Sequence, residues 1–169
     1  YIYRKYDYNY FSKGILEKGR TEFSRDSNVK YSKDRSYKIE NKVSNDAMFY
    51  REVTVRKNTP YRVTCMVRTE NVVGNENDTM AGAQICLNET DEHSNVIQGN
   101  TNWTKIEFLF NSKNNEKVEI EFRLGGISNT AEGTAWFSDF TIEEGSIDES
   151  NIWNFGVFLI DNVNATIEG

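Results

Sequence analysis

A single proline, two cysteines and one histidine are spread over 169 residues. The longest apolar run, Phe155 to Ile160, is far too short to cross a bilayer. Each scarcity excludes something. So little proline, alongside 11 glycines, argues against a low-complexity linker. The lone histidine, His93, lies in the polar segment Thr90-Asp91-Glu92-His93-Ser94-Asn95, so a Ser-His-Asp triad or a histidine zinc site would have to use it. Gly-x-Ser-x-Gly, His-Glu-x-x-His and phosphate-loop patterns are absent, and no catalysis is expected. Cys65 and Cys86 each fall in a strand-like run; buried free thiols are the first reading and a disulfide the alternative. The basic excess that a nucleic-acid partner demands is also missing, because the net charge is -6 and Lys and Arg are interleaved with Asp and Glu. No charged-then-apolar leader opens the chain, so residue 1 is expected to be a processing boundary.

What is present is a globular composition, 37% hydrophobic and 27% charged, of a size suited to one domain. Tyr1, Tyr3, Tyr6, Tyr8 and Tyr10 alternate with polar residues and read as an edge strand, followed by a long irregular connection to about residue 35. From Ser36 onward the pattern has the period of two that marks half-buried strands. Tyr37 and Ile39 share one parity, then Phe49, Val53 and Val55. Tyr61, Val63, Cys65 and Val67 follow after the turn Asn58-Thr59-Pro60, and then Ala83, Ile85 and Leu87. Ile106, Phe108 and Phe110 come next, then Val118, Ile120, Phe122 and Leu124, and finally Phe140 and Ile142. Seven or eight short strands lie between Ser36 and Glu144 with no helical period, which predicts an all-β antiparallel sandwich. The domain is placed at residues 1–145. Residues 146–169 are a linker and an extra strand, either returning to the sandwich or beginning a following domain.

The face opposite the apolar parities carries Tyr50, Glu52, Arg62, Thr64, Met66, Arg68, Gln84, Glu107, Glu119, Glu121 and Arg123. Brought together by neighbouring strands, these would form an amphipathic surface able to stack a pyranose ring and bond its hydroxyls; the alternative is a solvated outer face. Trp103 opens a strand and Trp136 shares the parity of Phe140, so both are expected to pack; a bulge near Ser138 would turn Trp136 outward.

Several stretches resemble the calcium-containing jelly-roll carbohydrate-binding modules appended to bacterial xylanases and glucanases. They are Ser36-Tyr37-Lys38-Ile39, Asn58-Thr59-Pro60-Tyr61-Arg62-Val63, Ala81-Gly82-Ala83-Gln84-Ile85, Asn102-Trp103-Thr104-Lys105 and Gly133 to Glu144, in that order. The resemblance covers about residues 15 to 145. It implies a jelly roll and a non-catalytic module that holds a larger extracellular protein on a glycan, with neither nucleic acid nor membrane insertion and with additional domains in the full protein. The residues selected for the glycan are Tyr50, Glu52, Arg68, Gln84, Glu121, Arg123 and Trp136. The resemblance also implies one structural calcium ion, held by Asp139 with Asp26. Here Ser138-Asp139 stands where the family has paired aspartates, and Pro60 is not followed by Gly. An adhesive or structural sandwich that binds protein or a neighbouring domain is the other reading.

Overall fold

The computed structural model describes residues 11–147 and the backbone of 153–159; the expected tyrosine strand at residues 1–10 lies outside them. Ten strands form an all-β antiparallel sandwich of the jelly-roll type, interrupted only by one 3-10 turn among the described residues. Strands β1 (Ser12–Ile15), β4 (Ala47–Thr54), β8 (Lys117–Gly125) and β6 (Gly82–Leu87) make a four-stranded sheet in that spatial order. The second sheet runs β2 (Thr21–Asp26), β3 (Ser36–Asn45), β9 (Ala131–Ile147), β5 (Pro60–Gly74) and β7 (Gly99–Asn111). Strand β10 (Trp153–Leu159), the apolar stretch near the C-terminus, pairs with the C-terminal half of β9, with Trp153 opposite Ile147 and Leu159 opposite Thr141.

The alternating residues do what their period requires. Phe49 and Val53 of β4, Ala83, Ile85 and Leu87 of β6 and Val118 to Leu124 of β8 turn inward to meet Ile39, Val63, Val67, Ile106, Phe108, Phe137 and Phe140 of the other sheet. An aromatic knot crosses the interior: the Phe122 and Phe140 ring centroids are 4.5 Å apart and those of Phe11 and Phe140 4.9 Å apart, in the edge-on and tilted geometries that ring quadrupoles favour. The two sheets are also tied by a buried amide. Asn41 Nδ2 donates to the carbonyls of Asn45, Leu124 and Ala131, which belong to three different strands.

Four expectations change on folding. The segment expected to be an irregular connection contains β1 and β2; each is short, and β2 buries little beyond Phe23, so neither carries a readable alternation. Cys65 and Cys86 are free thiols buried on different sheets, so the disulfide alternative is overturned. Trp103 sits half-buried on the outer face of β7, because its parity is that of Lys105 and Leu109 and opposite to Ile106, Phe108 and Phe110. Trp136 also leaves the core. Thr64 pairs with Thr141 while Met66 pairs with Ser138, so two steps on β5 correspond to three on β9. The extra residue is Asp139, at φ 54°, and this bulge puts Trp136 on the face opposite Phe140.

Candidate functional site

The outer face of the four-stranded sheet collects five of the seven residues selected from sequence. Register fixes the rows. Tyr50 lies opposite Glu121, which lies opposite Cys86; Met48 lies opposite Arg123, which lies opposite Gln84; Glu52 faces Glu119. Adjacent strands are about 4.8 Å apart, so the side chains of one row are near neighbours. Gly14 of β1 pairs with Met48 beside Tyr50, and a Cβ there would meet Met48 Cγ at 3.3 Å and the Tyr50 ring edge at an ordinary 3.6 Å.

Arg123 is the fixed point of the face. Its Nε donates to Asp46 Oδ1 at 2.7 Å, Nη2 to Asp46 Oδ2 at 2.5 Å, and Nη1 to Glu121 Oε1 at 3.3 Å. The fork-to-fork pairing holds the guanidinium plane in one orientation. Burial alone would lower the Arg123 pKa, but the Asp46 bonds and charge outweigh it and keep the group firmly cationic. Asp46 reaches this position because the next residue past Leu124 is Gly125. At φ 150° a Cβ on Gly125 would fall 2.1 Å from Asp46 Oδ1. Glu121 is pushed up by burial and pulled back by Arg123, with a net shift above the usual carboxylate range; burial and the charges of Glu52 and Glu89 raise Glu119. The Cys86 thiol is pushed up to about 11 by burial, so it stays protonated.

Beside this row the surface deepens. A hollow of about 380 Å³ runs from Glu121 and Arg123 to Asn88, Thr90, Asp91 and Ile127. A second, of about 230 Å³, shares Asp91 and Ile127 and continues past Gln84 and His93 to Met80 and Asn129. The wall between residues 88 and 98 is preformed. Ser94 N–H donates to the Ile85 carbonyl, Ser94 Oγ accepts from Ile85 N–H, and Ile97 exchanges two backbone bonds with Ala83, so this segment acts as a fifth rung on the edge of β6. Met80 and Ile127, 52% and 39% exposed, supply apolar surface at the rim. Tyr50 and Ile127 offer flat or apolar contact, Glu121 and Asp91 accept hydrogen bonds, and Arg123 donates, which is the equipment for an uncharged polyol.

Gln84 is on the same face, but its amide is spent: Nε2 donates to the Met80 and Gly125 carbonyls at 3.1 and 2.8 Å, and Oε1 accepts from Cys86 Sγ. Its part is to close the floor. Glu52 is exposed at the end of β4, 3.6 Å from Lys117 Nζ. Arg68 and Trp136 are elsewhere, on the outer face of the other sheet. Asp46, Asp91, Met80 and Ile127 were not selected from sequence. All four lie in turns and loops, where side-chain direction has no periodicity to betray it.

Asp26 and Asp139, selected as metal ligands, both have their oxygens engaged. Asp26 Oδ1 accepts from Asn28 and Val29 N–H at 2.8 and 3.0 Å, and Oδ2 accepts from Trp136 Nε1 at 3.0 Å. Burial pushes the Asp26 carboxyl up, yet these bonds outweigh it and hold the group below its ordinary value. Asp139 accepts from Ser138 Oγ and Ser32 Oγ. Among the described residues no three His, Cys, Asp or Glu side chains converge, whereas calcium takes six to eight oxygens. The residues present therefore do not fit a calcium cage built on this pair.

No protein-family model matches the chain, and no curated protein matches it either. Solved structures do. TmCBM61 in complex with β-1,4-galactotriose aligns with a TM-score of 0.52 at 16% identity, over 82% of this chain and 97% of the other. The carbohydrate-binding and catalytic modules (CBM22-1 and GH10) of Clostridium thermocellum endo-1,4-β-D-xylanase 10B, complexed with xylohexaose, align with a TM-score of 0.51 at 15% identity. That alignment covers 83% of this chain and 28% of the xylanase. The sandwich described above is thus a fold that carbohydrate-binding modules use.

Proposed function

We propose that this chain is a carbohydrate-binding module that holds a neutral, β-linked glycan across the outer face of β4, β8 and β6. The observation that carries the reading is the placement of Tyr50, Glu121 and the Asp46-anchored Arg123 on two adjacent rows of one face, with Glu121 and Arg123 lining a walled hollow. Its likeness in fold to modules bound to galactotriose and xylohexaose supports the same reading.

The chemistry is simple. A pyranose presents an apolar C–H face and a rim of hydroxyls. Tyr50 packs against the first, while the Glu121 carboxylate accepts from, and the Arg123 guanidinium donates to, the second. A rigid donor and a rigid acceptor impose little ordering cost on binding. No bond need be broken. Among the described residues the His93 ring bonds only the Ser94 carbonyl, so it activates no hydroxyl or thiol. The module's work is then to keep a larger extracellular protein on its polysaccharide.

Calorimetry with β-1,4-galacto- and xylo-oligosaccharides tests this. Tyr50→Ala should weaken binding about tenfold, the loss of one stacked ring, with an unchanged thermal midpoint. Retained affinity in a folded Tyr50→Ala chain would rule out this face. A folded wild-type chain that ignores every glycan would favour an adhesive sandwich instead.

A further inference from the structure

The second sheet carries an aromatic surface of its own, with three cations, Lys38, Arg68 and Lys105, grouped beside it. Between β2 and β3, residues 27–35 fold across its outer face. Asp26 anchors the start of this segment through Asn28 and Val29, Ser36 Oγ donates to the Val29 carbonyl at 2.5 Å, and Ser32 donates to Asp139 at the bulge in β9. These bonds place Tyr31, 52% exposed, against Trp103 of β7, with ring centroids 5.7 Å apart and planes inclined by 55°. Next to this pair, Trp136 is only 4% exposed and is overlaid by two cations, Lys38 Nζ at 5.5 Å and Arg68 Cζ at 5.9 Å from its centroid. Lys105, two residues along β7 from Trp103, completes the group. No ion pair with Lys38, Arg68 or Lys105 forms among the described residues, although seven other pairings do.

We propose that this face is a second binding site, selective for acidic polysaccharide of the uronate class. Tyr31 and Trp103 form an inclined platform against which successive sugar rings of a twisted chain pack, and Arg68 and Lys38 take the carboxylates. Among the described residues Arg68 and Lys105 form no direct protein ion pair, and Lys38 lies near the charges of Asp26 and Glu22 without a direct bond to either, so a ligand carboxylate supplies these cations with the direct charged partner that a neutral sugar does not. Trp136 acts beneath as support. Its indole N–H, fixed by Asp26, orients the ring on which both cations rest. The Glu121 face, in contrast, repels uronates. This inference stands independently of the neutral-glycan reading, because the two sites share no residue.

The test is affinity electrophoresis of the full chain through polygalacturonate, with calorimetry against tetragalacturonate, in calcium-free buffer of low ionic strength. β-1,4-Galactotriose and a single-stranded oligodeoxynucleotide are the comparison ligands. The wild type should bind the uronate. Combined Arg68→Gln and Lys38→Gln should weaken that binding about tenfold or more, and Tyr31→Ala, which removes an exposed ring and leaves the fold intact, should do likewise. Neither change should alter galactotriose binding, and Tyr50→Ala should leave the uronate affinity intact. The proposal is overturned if the folded chain ignores uronates, if their binding survives Tyr31→Ala, or if the oligonucleotide binds as tightly, since that would be unselective attraction of a polyanion. Loss of galactotriose binding alone would bear on the first site only.

Discussion

At the scale of single residues, buried amides do more for this chain than its few ion pairs. Asn41 is 1% exposed, and its Nδ2 donates to three carbonyls on three strands. Asn41→Leu keeps the volume but leaves three acceptors stranded. A loss of about 3 kcal/mol is expected, seen as a lower urea midpoint with an unchanged slope; a midpoint within error of wild type would mean water replaces the amide. Gly125 is the other singular position. Gly125→Ala puts a methyl group where Asp46 sits, so the Asp46–Arg123 fork must open. Galactotriose affinity should fall about tenfold while uronate binding on the far face is untouched.

At the scale of strands, β4 and β8 place like charges across from each other. Glu52 faces Glu119 directly, and such pairs are destabilising. Because the folded-state pKa of Glu119 lies above the ordinary 4.5, the folded chain holds that proton more tightly than the unfolded one. Protonation therefore stabilises, fully below about 4.5, and the benefit is lost as pH rises through the raised value. Glu119→Gln should then raise the thermal midpoint by about 1–2 °C at pH 7 and by less near pH 4. A lower midpoint at pH 7 would show that Glu119 has a stabilising partner instead. Strand patterning itself was legible. Each apolar parity from Tyr37 to Leu124 turns inward as its period demands. The bulge at Asp139 was only half legible: an Asp inside a strand is uncommon and a bulge near Ser138 was open from sequence, but only the pairing with β5 shows that it forms.

At the scale of the whole molecule, the net charge of -6 conceals a division. One outer face presents Glu52, Glu119 and Glu121 around an Arg123 paired with Asp46, and the other groups Lys38, Arg68 and Lys105 around three aromatic rings, with Glu22, Glu40 and Glu107 on the same parity. The two faces should respond differently to salt. Uronate binding should weaken by several-fold between 20 and 200 mM salt, roughly, while galactotriose binding changes little, because only the former exchanges counterions. Equal salt sensitivity on both faces would contradict the division. Chelator is expected to leave the thermal midpoint where it is, since Asp26 and Asp139 are already occupied by donors. A calcium-dependent rise would show instead that these bonds give way to the ion.

By itself, the amino-acid order determined the class of fold and which parities of the strands after Ser36 face the core, because a period of two is a local property that burial enforces strand by strand. Which strands become neighbours is not local. Only the tertiary pairing of β4 with β8 and of β8 with β6 brought Tyr50, Glu121 and Arg123 together on one face, and only the pairing of β9 with β3 and β5 sent Arg68 and Trp136 to the other face. The physical reason is that hydrogen-bonded register joins residues tens of positions apart, and alternation along a single strand holds no record of its partner.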